Sequence, residues 1–323
     1  MNRVSLQIVP YSQAHEMAWE QCCAEAVNGT FLHTCRFLSY HGDRFKDASV
    51  LMVDAGKVRG VFPAAQSPAD PGLVVSHPGS TFGGVVHQGW LNGARMLEAL
   101  AALSDHYQNL GYQRLLYKAV PHIFTRKPAQ DDLYALFRLG AQRVRCDLSC
   151  ALDLIHRPPM SGRRQRELKK TQKLVTMSSD PGLLDDLWAV ITHNLARKHN
   201  ARPVHSLPEL VLLMGRFPGQ IFIRCALMAG RVEAGIILFN GPSAWHLQYV
   251  GASESAYEVS ALDAVFDAAI TEAQLAGARY FDFGISNEED GRVLNDGLYR
   301  FKSGFGGGGV AHEFYEIRFG NAS

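Results

Sequence analysis

The sequence predicts an α/β protein built from two similar units in tandem, each with a mixed central sheet flanked by helices. Three observations support this prediction. The 323 residues exceed the usual size of one domain and suit two domains of about 150 residues each. Both halves show the same order of predicted elements: a hairpin, a strand or loop, a helix and a strand. Pro158 and Pro159 interrupt regular structure, so we predict domains 1–157 and 158–323.

Alternating apolar residues, helical periodicity and glycine breaks define the elements of the first half. The predicted helices are Ser12–Ala26, Arg36–Tyr40 and Leu91–Leu110. The predicted strands are Val4–Val9, Ser49–Asp54, Val58–Ala64 and Gln113–Ala119, with an irregular strand or loop over Val74–Val86.

The second half repeats this order. The predicted elements are the hairpin Ile221–Met228 and Val232–Phe239, the strand Trp245–Val250, the helix Val259–Leu275 and the strand Tyr280–Ile285. The hairpin turn Ala229-Gly230 resembles Ala55-Gly56, and Ala276-Gly277 at the helix end resembles Leu110-Gly111. The shared order favours an internal duplication, and two unrelated α/β halves are the alternative.

Composition narrows the class of protein. A net charge of +1 gives no global reason to expect a nucleic-acid partner. The N-terminus lacks the apolar run of a signal peptide, and no stretch reaches the roughly 18 apolar residues of a membrane span. We therefore expect a cytoplasmic protein without a membrane partner. The six cysteines show neither C-x-x-C pairs nor zinc-like spacing, so we expect reduced thiols and no metal.

A basic segment opens the second half. Arg166, Lys169, Lys170 and Lys173 recur at helical spacing and share one face. Clustered cations repel one another without an anion, so this face, with Lys170 as substrate-binding residue, is interpreted as a platform for a phosphorylated substrate. A solvated helix face is the alternative.

Several polar residues of the second half are candidates for chemistry. Asp282 lies in an apolar strand, where a carboxylate is costly unless it is paired or functional. His205 stands between rigid prolines, and histidine titrates near neutral pH. The predicted catalytic residues are Asp282, His205, His246 and Tyr249. The identity of the base among His205, His246 and Asp282 stays open, as does a structural role for each.

Three further segments are predicted to bind ligands. A small-residue turn between a strand and a helix N-terminus forms an anion site, although Glu254 and Glu258 oppose a phosphate there. The cofactor-binding candidates in this turn are Val250, Gly251, Ala252, Ser253, Tyr257 and Ser260. Glycines and hydroxyls in the first half suit close backbone approach to a ligand. The other substrate-binding candidates are Ser76, His77, Thr81, Phe82, Gly83, Ser286, Asn295 and Lys302.

The segments Phe281-Asp-Phe-Gly-Ile-Ser and Leu298-Tyr-Arg-Phe-Lys-Ser-Gly-Phe-Gly resemble the Fem family within the GNAT superfamily. The resemblance covers most of the chain and implies two tandem GNAT-like units that transfer an acyl group to an amine. Two features depart from the pattern. The stretch 163–220 has no room for the helical arm of tRNA-dependent Fem enzymes, and the usual GNAT pyrophosphate motif does not follow strand Trp245–Val250.

The expected function is therefore an acyl-CoA-dependent N-acyltransferase, with acyl-CoA as co-substrate. Resemblance to GNAT sugar N-acyltransferases, together with the basic face, implies a nucleotide-linked amino sugar as acceptor. In this interpretation the enzyme has no nucleic-acid partner, and it would act in polysaccharide biosynthesis. The alternatives are an aminoacyl-tRNA-dependent transferase of the Fem type and a GNAT-like binding module without catalysis.

Overall fold

The chain divides into two compact units. The computed structural model describes residues 6–199 and 202–320, without the side chains of residues 163, 198 and 199. Unit 1 contains Met1–Asp147, Asn287–Val293 and Ala311–Ser323, and unit 2 contains Leu148–Ser286 and Leu294–Val310. A single cut after residue 157 does not reproduce this division, because the last strand of the chain pairs with a strand of unit 1. Part of the predicted strand Val4–Val9 lies outside the described residues.

The described residues of the first half form four α-helices and eight strands. The helices are α1 (Glu16–Glu25), α2 (Cys35–Leu38), α3 (Ala94–Asn109) and α4 (Asp131–Arg138). Short 3-10 helices cover Gln13–His15, Phe31–His33, Ser39–Arg44 and His122–Phe124. The strands are β1 (Gln7–Pro10), β2 (Val50–Asp54), β3 (Lys57–Phe62), β4 (Ala65–Ser67), β5 (Asp70–Val75), β6 (Val86–His87), β7 (Arg114–Lys118) and β8 (Gln142–Asp153).

The remaining residues that the structure describes form six α-helices and eight strands. The helices are α5 (Gly162–Thr171), α6 (Leu184–His199), α7 (Leu207–Arg216), α8 (Glu254–Glu258), α9 (Ala261–Leu275) and α10 (Asp296–Ser303), with 3-10 helices at Pro181–Leu183 and Glu289–Gly291. The strands are β9 (Thr176–Ser178), β10 (Ile221–Met228), β11 (Arg231–Asn240), β12 (Ala244–Ala252), β13 (Tyr280–Ile285), β14 (Asn287–Glu288), β15 (Val293–Leu294) and β16 (Gly308–Arg318). No helix in the described ranges combines the length and apolarity needed to cross a membrane.

In unit 1, strands β1, β2, β3 and β6 form an antiparallel sheet in that order. Alternation along β2 sends Leu51 toward Trp19 of α1, and Val50 and Met52 toward a larger core that contains Leu100 of α3. A second group of strands runs β4, β5, β7 and β16, with the β5–β7 pair parallel.

In unit 2, the strands run β9, β10, β11, β12, β13 and β8. The β12–β13 pair is parallel, whereas β9–β10, β10–β11, β11–β12 and β13–β8 are antiparallel. Residues of α9, such as Phe266, pack against Ile236 and Phe281 on one face of the sheet. Helix α6 covers the other face, where Gly235 and Gly251 allow close approach of Leu187 and Ile191.

The two halves share backbone details as well as element order. Ala55 and Gly56 have φ of 48° and 74°, and Ala229 and Gly230 have φ of 48° and 78°. Both turns therefore have the left-handed central residues of a tight hairpin. Helices α3 and α9 also end alike, because Tyr112 N–H donates to Tyr107 O and Ala278 N–H donates to Ala273 O, as in a Schellman motif. These matches confirm the predicted α/β fold of two similar units.

The predicted helix Val259–Leu275 begins two residues later in the structure, and the separate short helix α8 precedes it. Ser253 caps the short α8 by accepting from Ala256 N–H, and Ser260 has a left-handed φ of 54°. Helix α9 therefore begins at Ala261. The apolar run continues through this left-handed residue, so periodicity alone does not reveal the break.

Candidate functional site

Strands β12 and β13 separate after a short parallel ladder. The ladder joins Ala244 to Tyr280, Trp245 to Phe281 and His246 to Asp282, although β12 continues to Ala252. Strand β13 bends at Gly284, whose φ is 74°. Beyond the last pair, the facing edges of the two strands no longer pair with each other. Backbone donors and acceptors at such edges can hold an extended ligand by strand-like hydrogen bonds.

A β-bulge lies beside this opening. Ile237 of β11 pairs with Tyr249, whereas the next residue, Leu238, pairs with Leu247. Gln248 is therefore the extra residue on β12, and a bulged residue is left out of the regular ladder. A backbone N–H that a bulge leaves outside the ladder can donate to the polarised carbonyl oxygen of a ligand in the opening.

The last paired position of the ladder carries a hydrogen-bonded His–Asp pair. His246 Nδ1 lies 2.6 Å from Asp282 Oδ2, and Ser149 Oγ of β8 donates to Asp282 Oδ1. The Asp282 side chain is fully buried, whereas that of His246 is 13% exposed. Because a carboxylate only accepts hydrogen bonds, the neutral histidine carries its proton on Nδ1 and its basic lone pair on Nε2.

The contacts of Asp282 bear on the role that the sequence left open for it. Both of its oxygens are engaged by neighbouring side chains, and it has no exposure to solvent. A carboxylate in this position orients a histidine and stabilises its protonated form. The geometry therefore favours His246 over Asp282 as the group that exchanges protons with a ligand.

Lys302 supports the bent end of β13. Its ammonium group donates to Gly284 O at 2.9 Å and to Ile285 O at 2.6 Å. Burial lowers the pKa of Lys302 to about 8, partly offset by the nearby charges of Asp282 and Cys150. Lys302 thus satisfies two carbonyl groups at the point where β13 leaves the ladder, rather than standing at the surface.

His205 and Tyr249 form a second pair. His205 Nδ1 lies 2.6 Å from the Tyr249 hydroxyl, which also accepts from the His205 backbone N–H at 3.2 Å. The Tyr249 ring packs edge-on against Trp188 of α6, and the His205 ring lies 6.4 Å from that of Phe239. Phe239 of β11 lies directly opposite His246 of β12 in the strand register, so the two side chains share a face of the sheet. The His205–Tyr249 and His246–Asp282 pairs therefore both lie on the face covered by α6. Burial raises the pKa of Tyr249.

The predicted cofactor-binding turn has structural contacts of its own. Gly251 packs against Ile191, and Ala252 is buried in the core beside the half-buried Val250. Ser253 caps α8, and Tyr257 donates to Asn194 Oδ1 at 3.2 Å. Glu254 lies in the first turn of α8, where its charge opposes a phosphate. The assignment of this turn to a cofactor stays a prediction.

The basic segment lies beside the start of α9. Arg164 of α5 donates to Asp263 Oδ1 at 2.8 Å, and Thr171 donates to Val259 O at 2.5 Å. Leu168 and Thr171 are buried, which leaves a cationic face exposed on the opposite side of α5. This face carries Arg166, Lys169, Lys170 and Lys173. Lys170 also contacts Glu167 at 3.0 Å.

The remaining candidates of unit 2 have defined contacts. Asn295 caps α10 by accepting from Leu298 N–H at 3.0 Å, and its own N–H donates to Ser286 O at 2.9 Å. The Ser286 side chain is buried, and its Oγ has no hydrogen-bond partner among the described residues. These two residues connect β13 to α10.

The candidates from the first half all belong to unit 1, so they form a separate group. Ser76 Oγ accepts from Lys118 N–H at 2.7 Å, and Gly83 has no room for a side chain because Ser76 O lies against it. Phe82 packs on Phe124, whereas Thr81 is exposed. His77 is buried at the edge of a cavity.

Sequence reasoning missed Ser149, which belongs to the site, and the anchoring role of Arg164. Ser149 belongs to β8, which was not predicted as a strand. The alternation of side chains along β8, which would have placed Ser149 on a buried face, was therefore not considered. Arg164 was counted only as part of a basic segment. Its guanidinium packs 3.9 Å from the ring centre of Phe305 and bonds to Asp263, so it anchors α5 instead of facing a ligand.

One family model matches the chain. Residues 161–302 match the model described as an acetyltransferase (GNAT) domain, which covers α5 to α10 and the whole β12–β13 opening. No curated protein sequence matches the chain.

Solved structures share the fold over nearly the whole chain. FemX has a TM-score of 0.70 at 11% identity, with 97% of each chain covered. The L-PGS structure from Bacillus licheniformis has a TM-score of 0.62 at 12% identity, covering 97% of this chain and 93% of that one. A tandem GNAT protein from the clavulanic acid biosynthesis pathway has a TM-score of 0.53 at 11% identity, covering 99% and 100%. At these identities the likeness concerns the fold.

Proposed function

We propose that unit 2 transfers an acyl group from acyl-CoA to an amine, because residues 161–302 match the model of a GNAT acetyltransferase domain and the chain shares the fold of FemX and of a tandem GNAT protein. The observation that carries this proposal is the separation of β12 and β13 directly beyond the His246–Asp282 pair. An extended pantetheine arm carries two amides, which suit the exposed edges of two strands. The residues present therefore fit the donor.

The reaction needs no covalent enzyme intermediate. The amine nitrogen attacks the thioester carbonyl carbon, the C–S bond breaks, and the thiol leaves. Charge that develops on the carbonyl oxygen is stabilised by a backbone N–H of β12 near the bulge at Gln248. His246 Nε2 takes the proton that the amine loses, while Asp282 stabilises the resulting imidazolium.

Tyr249 has a complementary role in this proposal. Its raised pKa keeps the hydroxyl protonated at neutral pH, so Tyr249 can supply a proton to the leaving thiolate. His205, which bonds to the same hydroxyl, positions it. Lys302 keeps β13 bent and so maintains the opening.

Substitution of His246 and of Asp282 tests the proposed proton transfer. His246→Gln is expected to lower kcat about 10²- to 10⁴-fold, because a positioned general base contributes that range. Asp282→Asn should lower kcat similarly, because an amide favours the wrong tautomer. The exposed His193 of α6 gives the matched control, and His193→Gln should retain full activity. Thiol release from acetyl-CoA and other acyl-CoAs is the assay.

A different outcome would reassign the base. If His246→Gln keeps full thiol release while His205→Gln abolishes it, the proton passes through His205 instead. If no amine supports thiol release from any acyl-CoA while a ligand still binds, the protein is a binding module.

The exposed cations of α5 favour a diphosphate-bearing co-substrate. Arg166, Lys169 and Lys170 of α5 and Lys173 just after it are all exposed, so their charges are open to a phosphate group. Coenzyme A and a nucleotide-linked amino sugar both carry a diphosphate, and the second is our proposed acceptor. The double variant Lys169→Gln with Lys170→Gln should raise several-fold the KM of whichever co-substrate, acyl-CoA or amino-sugar nucleotide, places its diphosphate on this face. The KM of the other co-substrate should stay unchanged.

The same cationic face is the specific observation that favours a second candidate, aminoacyl-tRNA as the donor. A near-neutral chain of net charge +1 opposes it. Gel-shift titration with bulk tRNA at low and high salt distinguishes the two, because RNA binding through phosphates weakens steeply with salt. Salt-sensitive tRNA binding that Lys169→Gln with Lys170→Gln removes would favour the tRNA-dependent transferase.

A further inference from the structure

Unit 1 contains a cavity that the proposed acyl transfer does not use. Its volume is about 370 Å³, which lies within the usual range for sites of small ligands. Helix α1, the α2 region and the segment after β5 supply its walls, and its apolar surface includes Trp19, Leu38, Phe45 and Ala65. A ligand here would meet aromatic rings on more than one side.

The charge of the lining has one sign. Glu16 and Asp47 contribute carboxylates, whereas the described residues that line the cavity include no lysine or arginine. Asp47 Oδ1 accepts from Ser49, at 2.6 Å from the hydroxyl and 3.2 Å from the backbone N–H. Within residues 6–199 and 202–320, no basic side chain forms an ion pair with either carboxylate. A cation entering the cavity would therefore be the first counter-charge that these two groups meet.

Two neighbouring groups respond to the same negative field. Burial, with smaller contributions from the charges of Glu20, Glu16 and Asp47, raises the pKa of Cys35 to about 11, although the hydrogen bond with Tyr11 opposes this shift. Burial also raises the pKa of Tyr11, again with contributions from Glu16 and Asp47. Both side chains line the cavity, so the carboxylates act on its interior and not only on bulk solvent.

The floor of the cavity is held in a costly conformation. His77 has a left-handed φ of 54°, is 6% exposed, and lies with its ring centre 4.8 Å from that of His41 and 5.4 Å from that of Phe45. The ammonium of Lys118 donates to His77 O at 3.1 Å and to Ser80 O. Backbone strain held in place by surrounding bonds is concentrated at ligand sites.

His77 is also unsatisfied as a polar group. Its buried Nδ1 has no hydrogen-bond partner among the described residues, although a buried polar atom without a partner is costly. Burial, together with the nearby His41, Lys118 and His33, lowers the pKa of His77 to about 3. The ring is therefore neutral at ordinary pH and adds no positive charge to the cavity.

We propose that this cavity binds a small amine as its ammonium ion. The apolar part of the ligand packs against Trp19 and Phe45, and the charged end lies between Glu16 and Asp47. Aromatic faces add to the attraction, because their quadrupoles favour cations. This site goes beyond the proposed acyl transfer, whose groups all belong to unit 2, and it binds its ligand without an acyl donor.

Calorimetric titration of the full chain with phenethylamine tests the proposal. Two probes with the same ring are compared with it: 3-phenylpropionate, which carries a carboxylate, and 2-phenylethanol, which is neutral. Phenethylamine is expected to bind more tightly than both and to weaken at high salt, because screening reduces the attraction of the carboxylates. Equal binding of the neutral alcohol would overturn the charge argument.

Three variants locate the binding. Asp47→Asn and Glu16→Gln should each weaken phenethylamine about fivefold, as expected for partly exposed charges. Ser39→Trp, at an exposed position of the lining, should block the cavity without disturbing the core. Asp105→Asn on the exposed face of α3 is the matched control and should retain wild-type affinity.

Two outcomes would overturn the assignment. Undiminished binding by Ser39→Trp would exclude this cavity as the site, and equal affinities for Asp47→Asn and Asp105→Asn would exclude Asp47 as a counter-charge. Neither result depends on acyl transfer, because thiol release is measured separately with His246→Gln. Failure here and failure of the proposed function are therefore distinguishable.

Discussion

At the scale of single residues, two buried lysines bind backbone carbonyls instead of carboxylates. Lys118 bonds to His77 and Ser80 in unit 1, and Lys302 bonds to Gly284 and Ile285 in unit 2. Each set of carbonyls belongs to a segment with a left-handed residue, His77 or Gly284. An ammonium group offers three donors, so one side chain can satisfy carbonyls that a bend removes from regular pairing.

Lys118 should make stability depend on alkaline pH. Burial lowers its pKa from 10.5 to about 7, so between these values the unfolded chain binds a proton that the folded chain does not. The cost to folding is full below pH 7 and disappears as pH rises to 10.5. Stability should therefore rise with pH through this window, by roughly 1 kcal/mol per unit from this group alone.

Urea denaturation across that window measures the effect. Because other groups titrate too, the informative quantity is the difference in unfolding free energy between Lys118→Met and the wild type. The wild type should become more stable relative to Lys118→Met as pH rises. Lys46→Met, at an exposed position, is the control and should keep the wild-type slope. A slope for Lys118→Met equal to that of the control would show that Lys118 is solvated or paired.

At the scale of elements, the α6 face of unit 2 depends on two glycines. A Cβ at Gly251 would lie 2.7 Å from Ile191 Cα, and one at Gly235 would lie 2.6 Å from Leu187 Cδ1. The helix therefore packs directly on the backbone of β11 and β12. Tyr249 and His246 belong to β12, the strand that contains Gly251. The close approach of α6 to β12 therefore also fixes where their side chains lie relative to α6.

Gly251→Ala should destabilise this packing. The added methyl meets the backbone of Ile191, which cannot move as a side-chain end can, and overpacking of this kind costs about 1–3 kcal/mol. Gly215→Ala is the matched substitution, because Gly215 is exposed in α7 and a Cβ there meets nothing within 4 Å. Helix propensity predicts that this control gains about 0.5–1 kcal/mol. Denaturant midpoints check both, and equal shifts would contradict the packing argument.

At the scale of the whole molecule, sequence order and spatial unit diverge near the end of the chain. Leu294–Val310 belongs to unit 2, whereas Ala311–Ser323 belongs to unit 1. The reason is the antiparallel pairing of β16 with β7, in which Ile317 faces Leu115 and Phe314 faces Lys118. Unit 1 is therefore complete only when the last strand has been added.

Ile317→Ala should loosen unit 1 selectively. Ile317 is 5% exposed in the core of that unit, and truncation to alanine typically costs about 2–5 kcal/mol. Hydrogen exchange followed by mass spectrometry should show faster exchange in Arg114–Lys118 than in Arg231–Asn240. Leu238→Ala, in the core of unit 2, should give the reverse pattern. Equal acceleration in both segments for both variants would mean that the two units unfold as one.

The sequence by itself determined the features that local patterns encode. Hairpin turns at Ala55-Gly56 and Ala229-Gly230, and the helix ends at Gly111 and Gly277, were predicted because left-handed backbone favours glycine and recurs at matching places. The strand Tyr280–Ile285 was predicted with its observed bounds, because continuous apolar residues between turns predict a buried strand. Asp282 stood out in it because a carboxylate is unexpected there.

Only the tertiary structure decided which residues meet. Ser149 and Asp282 are 133 residues apart in the sequence, and no local pattern predicts that their side chains meet. The break at Ser260, the role of Arg164 as an anchor and the cavity around His77 also depend on contacts between distant segments. Side-chain patterns report the surroundings that a residue needs, whereas burial and hydrogen-bond partners arise only when separate elements pack together.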